Sequence, residues 1–189
     1  VRHLPLRVVE DPEIGQIRPA GREHVGRHGN AGQAVPLDEY VALAWAARRL
    51  GRPVKWASSR MEGFLSDAQS RDQVLAGELA LDGNGRITAL RVRSKANLGA
   101  YVASAIPIST VGNMQRMISA LYAIPAIHLR VEGALTNTVP INVYRGVGRI
   151  ECVYTVERLI ERAARETERD GAALRRANMV RIFPYRTPT

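Results

Sequence analysis

The chain has 189 residues, 46% of them apolar, which is enough for one substantial domain or two small ones around a buried core. Its only cysteine, Cys152, excludes a disulfide framework and a thiolate cluster for zinc or iron–sulfur. The net charge of +9 comes almost wholly from arginine, since Lys55 and Lys95 are the only lysines; scattered basic residues and 5% aromatics weigh against a nucleic-acid surface.

Residues 1–35 hold many glycines, few large apolar residues and no sustained period, so they read as loop. His24 and His28 are four apart, a metal-binding spacing on a helix. Gly26 and Gly29 oppose that helix, and a solvated pair is the reading taken. From Pro36, "PLDEYVALAWAARRLG" opens with proline and acids and ends in arginines and Gly51, the polarity of a helix. "RPVKWAS" then reads as a short strand and "SRMEGFLS" as a helical turn.

In "VLAGELALDGNGRITALRVRSKANLGAY" two alternating apolar runs flank Asp82-Gly83-Asn84-Gly85, which predicts a β-hairpin. "TVGNMQRMISALY" has helical spacing and is closed by Pro125, and "AIHLRVEGALTN" alternates as a strand. The segment "IECVYTVERLIERAARETERDG" predicts a long amphipathic helix with Val153, Val156, Leu159, Ile160, Ala163 and Ala164 on its apolar face. Cys152 falls in the same apolar helix and reads as a small buried hydrophobe. Glu157 and Glu161, with Arg158 and Arg165 nearby, read as an i,i+4 surface pattern. "GAALRRANMV" gives a short helix, and the prolines of "FPYRTPT" impose extended chain. An antiparallel hairpin among interleaved helices predicts an α+β fold, a mixed sheet with packed helices. No run of about 18 apolar residues crosses a membrane, and "VRHLPLRVVEDPEIG" is no signal peptide. The expectation is a cytoplasmic protein, with the periplasm left open because the chain starts at Val1.

Few residues announce chemistry. Neither a nucleophile elbow nor a P-loop or dinucleotide fingerprint is present. The loop "NTVPINVYRGVGRIE" stands out, because glycines around Arg145 expose backbone N–H groups that can hold an oxyanion or phosphate. Spacing leaves two readings open, an anion nest or a structural turn in which Arg145 pairs a local carboxylate.

At this loop a resemblance enters. "TNTVPINVYRGVGRIECVYTVERLIERAARETERDGAALRRANMV" resembles the molybdopterin-binding large subunit of the xanthine dehydrogenase and aldehyde oxidase family. "AARRLGRPVKW", "SRMEGFLSDAQSRD", "ELALDGNGRITAL", "ANLGAYVAS", "YAIPAI" and "FPYRTPT" match in the family's order and spacing. The resemblance implies a partial molybdenum-cofactor-binding domain over residues 36–189, preceded by a divergent, loop-rich segment over 1–35. It implies that Tyr144, Arg145, Gly146, Val147 and Gly148 line the cofactor, and that Gly29 and Gly32 retain part of a glycine loop. It also implies molybdopterin in its cytosine dinucleotide form, and an iron–sulfur subunit with [2Fe–2S] centres and an FAD subunit as partners. The implied reaction is water-derived hydroxylation of a C–H bond in an aldehyde or N-heterocycle, a small-molecule substrate.

Several departures qualify this. Gly146 stands where the copper-containing carbon monoxide dehydrogenases have cysteine, which argues against a Mo–Cu site. Val147 replaces the aromatic residue of the purine-oxidising branch, and Ile150 replaces a proline at the helix entry. "HVGRHGNAGQAV" lacks the phenylalanine and lysine of the family's usual glycine loop. The family's catalytic glutamate lies downstream, so no catalytic residue is assigned here and the piece is expected to be inactive alone. The alternative is a stand-alone basic α+β module that binds an anionic ligand or nucleic acid.

Overall fold

The computed structural model describes residues 4–7, 38–57, 59–66, 71–102, 106–142 and 146–188. His24, His28, Gly29, Gly32, Tyr144 and Arg145 lie outside the described residues.

The hairpin forms as its turn chemistry predicts. Strands β2 (Gln73–Leu81) and β3 (Ile87–Gly99) pair antiparallel, with a bulge at Ala80/Leu81. Asp82 organises the turn: its Oδ1 accepts from Asn84 N at 2.9 Å and Arg86 N at 2.8 Å. Strand β4 (Ile127–Leu135) joins the other side of β3 in parallel, from Leu90↔Ile127 to Gly99↔Leu135. The sheet is therefore mixed, as the α+β reading requires.

Its fourth strand corrects the loop reading of residues 1–35. Strand β1 (Leu4–Arg7) pairs antiparallel with β2 from Leu4↔Leu81 to Arg7↔Glu78 and completes the order β1-β2-β3-β4. Four residues interrupted by Pro5 carry little alternation, and an edge is the position in a sheet that tolerates proline. A second correction concerns "RPVKWAS", whose described residues form no strand. Val54 and Trp56 favour a pleated surface only where a neighbouring strand supplies one.

Helix α1 (Asp38–Leu50) ends in Arg48 and Arg49, with Gly51 at φ 60 beyond it. Helix α2 (Arg60–Ser66) opens on a capping box: Ser59 N donates to Glu62 Oε2 at 2.5 Å, and Glu62 N donates to Ser59 Oγ at 3.2 Å. Helix α3 (Ile106–Met117) begins earlier than its spacing predicts. Helices α4 (Arg149–Glu166) and α5 (Gly171–Asn178) follow β4.

Alternation along β3 buries Ile87, Leu90, Val92, Ser94 and Ala96, while Arg91, Arg93 and Lys95 face out. The buried side meets Met114 and Ile118 after the start of α3, and Cys152, Val156, Leu159 and Ile160 of α4. Val153 departs from the predicted stripe and is 46% exposed, because Cys152 takes the seam one residue earlier. Helix α5 closes the far end through Asn178. Its Oδ1 accepts from Ile87 N at 2.8 Å, and its Nδ2 donates to Gly85 O and Leu174 O, both at 2.9 Å.

Glu157 and Glu161 do more than decorate a surface. Glu161 makes the predicted i,i+4 pair with Arg165, yet both carboxylates also hold Arg175 of α5, Glu157 at 2.8 Å and Glu161 at 3.3 Å. Glu157 Oε1 accepts from the Tyr122 hydroxyl at 2.6 Å. Burial and that carboxylate push the Tyr122 phenol up to about 12. Among the described residues, no helix is long and apolar enough to cross a membrane.

Candidate functional site

The motifs that resemble one family are far apart in sequence, and they meet at one end of the sheet. Asn97, in "ANLGAY", donates through Nδ2 to Asp72 Oδ2 at 2.7 Å and to Thr138 Oγ1 at 3.0 Å. Its Oδ1 accepts from Thr136 Oγ1 at 2.7 Å and from Gly99 N at 2.8 Å. One amide thus links the "SRD", "ANLGAY" and "TNT" segments. Backbone bonds from Thr136 N to Gly99 O at 3.0 Å and from Ala100 N to Thr138 O at 3.0 Å run alongside. A side chain at Gly99 would stand 2.5 Å from Pro140 Cα, so the "TVP" stretch lies directly on β3.

The described part of the candidate loop is Gly146, Val147 and Gly148. Gly146 has φ 85 and Gly148 φ 76, left-handed values that cost other residues about 1–2 kcal/mol. Gly148 is the N-cap of α4 and is pressed on α3: a Cβ there would fall 2.8 Å from Thr110 O and 2.8 Å from Asn113 Cβ. Asn113 Nδ2 donates to Val147 O at 2.9 Å, fastening the loop to the same helix. Gly146 O accepts from Arg149 N at 3.0 Å, starting α4. A Cβ on Gly146 would come within 3.2 Å of Ile150 Cδ1.

Beneath the loop is a buried pair that motif reading does not single out. Glu151, third residue of α4, is 1% exposed, and its Oε1 lies 3.7 Å from Arg71 Nη1. Neither carboxylate oxygen accepts a hydrogen bond. Arg71 holds φ 63, a left-handed value for a non-glycine residue, immediately before Asp72. Cys152, next along α4, is fully buried with its thiol directed at Met114 O at 3.5 Å. Burial and neighbouring Glu151 push this thiol up to about 12, so it is the buried hydrophobe expected and no thiolate ligand. The described residues contain no cluster of three or more His, Cys, Asp or Glu side chains that could hold a metal ion.

The structure therefore places Gly146, Val147 and Gly148 against α3, with Arg71 and Glu151 close by. Arg71, Asp72, Asn97 and Asn113 were missed as site residues. Their only sequence signal is that three of them lie in motifs shared with one family.

A glycine-framed loop leads into the long helix α4, beside a mixed sheet whose connections are fastened by the side-chain amides of Asn97 and Asn113. The molybdopterin cofactor-binding domain model matches residues 29–179, and the chain belongs to that family. It is 39% identical over 152 residues to the carbon monoxide dehydrogenase large chain of Hydrogenophaga pseudoflava, covering 78% of this chain and 19% of that one. With the 6-hydroxypseudooxynicotine dehydrogenase complex subunit gamma of Paenarthrobacter nicotinovorans it shares 33% identity over 182 residues, covering 95% and 22%. The fold superposes on quinoline 2-oxidoreductase from Pseudomonas putida 86 with a TM-score of 0.70 at 36% identity, covering 79% of this chain and 20% of that structure. The chain spans about a fifth of the length of these relatives.

Proposed function

We propose that this chain is part of a molybdenum hydroxylase large subunit that oxidises an aldehyde or N-heterocycle, and that Tyr144, Arg145, Gly146, Val147 and Gly148 form its wall of the cofactor site. Gly29 and Gly32 belong to the same proposed wall. Residues 36–189 are its partial cofactor domain and residues 1–35 its divergent leading segment. The observation that carries the reading is the bare backbone at Gly146 and Gly148, both left-handed and both at the entrance to α4.

These residues fit the group. At Gly146 the absence of a Cβ lets the main chain approach a large anionic ligand, while Asn113 and the α3 contact at Gly148 keep the loop from yielding. When bound, the molybdenum group supplies the oxidation, with the inserted oxygen drawn from water. The protein's part is to orient and to preorganise donors at the cofactor's edge. Gly146 supplies no thiolate, and Cys152 Sγ is buried against Met114 O, so a copper–thiolate centre has no ligand here. That favours an organic substrate, as in the relatives named for quinoline and a nicotine derivative, over carbon monoxide, as in the 39% identical carbon monoxide dehydrogenase large chain. The cytosine dinucleotide form of the cofactor, and [2Fe–2S] and FAD on separate partner subunits, complete the proposal. Its support is the motif resemblance and relatives named as a large chain and as a subunit of a complex.

The test is a full-length enzyme carrying this segment with Gly146→Phe, assayed for molybdenum by elemental analysis on folded protein. Loss of most of the metal is expected. Wild-type metal content and turnover would remove the site assignment.

A further inference from the structure

The Arg71–Glu151 pair does not cap α4, although Glu151 lies in the helix's first turn, where a negative charge is favoured. Gly148 occupies the N-cap position with no side-chain cap, and the Glu151 carboxylate reaches no backbone N–H. Nor does stability call for it, because a buried ion pair is commonly no better than apolar side chains of the same volume. The carboxylate is nevertheless 1% exposed, Arg71 Nη1 stands 3.7 Å from it, and Arg71 adopts a left-handed backbone at φ 63.

Geometry gives the pair a different task. Arg71 Nη2 lies 4.0 Å from the point where a Cβ on Gly146 would stand, and its Nη1 faces Glu151 one helical step beyond Ile150. The adjacent residue, Asp72, holds Asn97 and through it Thr138, the other end of the loop's approach. The two-residue segment 71–72 therefore braces the candidate loop from both sides.

We propose that Arg71 and Glu151 are positioning residues: the buried pair fixes Gly146 against the first turn of α4 and so sets how the loop meets the molybdenum group. The inference rests on the cofactor-site reading above. It requires an ionic pair of defined length, since the guanidinium faces the Glu151 carboxylate through Nη1 at 3.7 Å while its Nη2 stands 4.0 Å from the Cβ position of Gly146. An apolar pair fills the volume without fixing that distance.

The experiment uses the full-length enzyme in its assembled form, with Glu151→Gln, the double variant Arg71→Met/Glu151→Leu, and Gly146→Phe alongside. Three quantities are read: melting temperature, molybdenum per folded protomer, and the Mo(V) electron paramagnetic resonance spectrum of the metal-bearing fraction. The double variant is expected to melt near the wild type yet to hold about tenfold less molybdenum or to show shifted g-values, the size of effect that outer-shell partners have on bound metals. Glu151→Gln gives the same spectral change in the fraction that keeps metal, whatever its melting temperature. Wild-type molybdenum content with an unshifted spectrum in either variant overturns the proposal and leaves the pair a matter of folding. If Gly146→Phe loses metal while the pair variants do not, only this inference falls; if Gly146→Phe also keeps it, the cofactor-site reading falls first.

Discussion

Replacing Gly148 by alanine tests whether the loop is braced on α3. The added methyl group meets two costs. A left-handed backbone at φ 76 disfavours alanine by about 1–2 kcal/mol. The new Cβ also sits 2.8 Å from Thr110 O and 3.2 Å from Met114 N, both main-chain atoms that move only if the helices separate. Forced overpacking of this kind costs about 1–3 kcal/mol, giving a combined destabilisation of about 2–5 kcal/mol. Native-state hydrogen exchange in the full-length subunit reads it directly: amides of α3 and the first turns of α4 should lose protection by about 30-fold or more. Gly83→Ala is the control, because nothing stands within 4 Å of its Cβ position, and it should leave exchange unchanged. Gly112→Ala, likewise open but inside α3, should gain about 0.5–1 kcal/mol from helix propensity. If Gly148→Ala exchanges like Gly83→Ala, the loop is not clamped on α3 and the argument from close approach fails.

Two further outcomes follow from buried polar groups. Asn178→Ala leaves Ile87 N, Gly85 O and Leu174 O without their partner and should cost about 2–3 kcal/mol, seen as faster amide exchange in the β2–β3 turn. Alkaline pH should weaken the fold through Tyr122. Its phenol is raised from 10.0 to about 12 in the folded chain, so its contribution is complete below about pH 10 and is lost as pH rises through 12. That shift corresponds to a loss of about 2–3 kcal/mol, and the melting temperature of the wild type should fall more steeply between pH 9 and 12 than that of Tyr122→Phe. Parallel slopes would mean that burial and the Tyr122–Glu157 bond do not hold the phenol neutral.

What the sequence made legible was local. The Asp-Gly-Asn-Gly turn names its hairpin because Asp82 and Gly85 are both in the turn they shape. Helix α4 is legible for the same reason, although a stripe drawn at helical spacing put both Cys152 and Val153 inside and only Cys152 is buried. β1 and "RPVKWAS" were misread because a strand exists only beside another strand, and neither segment contains the information about its neighbour. The candidate loop stood out through its glycines, but composition could not distinguish a nest from a turn, since both need the same positive φ values.

The site's support was illegible for a deeper reason. Asn97, Asp72, Thr136 and Thr138 are ordinary turn and strand residues taken singly, and their shared hydrogen bonds span up to 41 positions in the chain. Arg71 and Glu151 are 80 residues apart by number, and each alone looks like a solvated charge. Burial turns them into a pair, and burial is a property of the assembled sheet and helices. The glycine loop advertises where a ligand could approach, whereas the residues proposed to hold it still can be recognised only once the fold has brought them beside it. Variants of the loop and variants of its brace should therefore fail differently: the former through blocked approach of the cofactor, the latter through a cofactor that is held more weakly or in the wrong register.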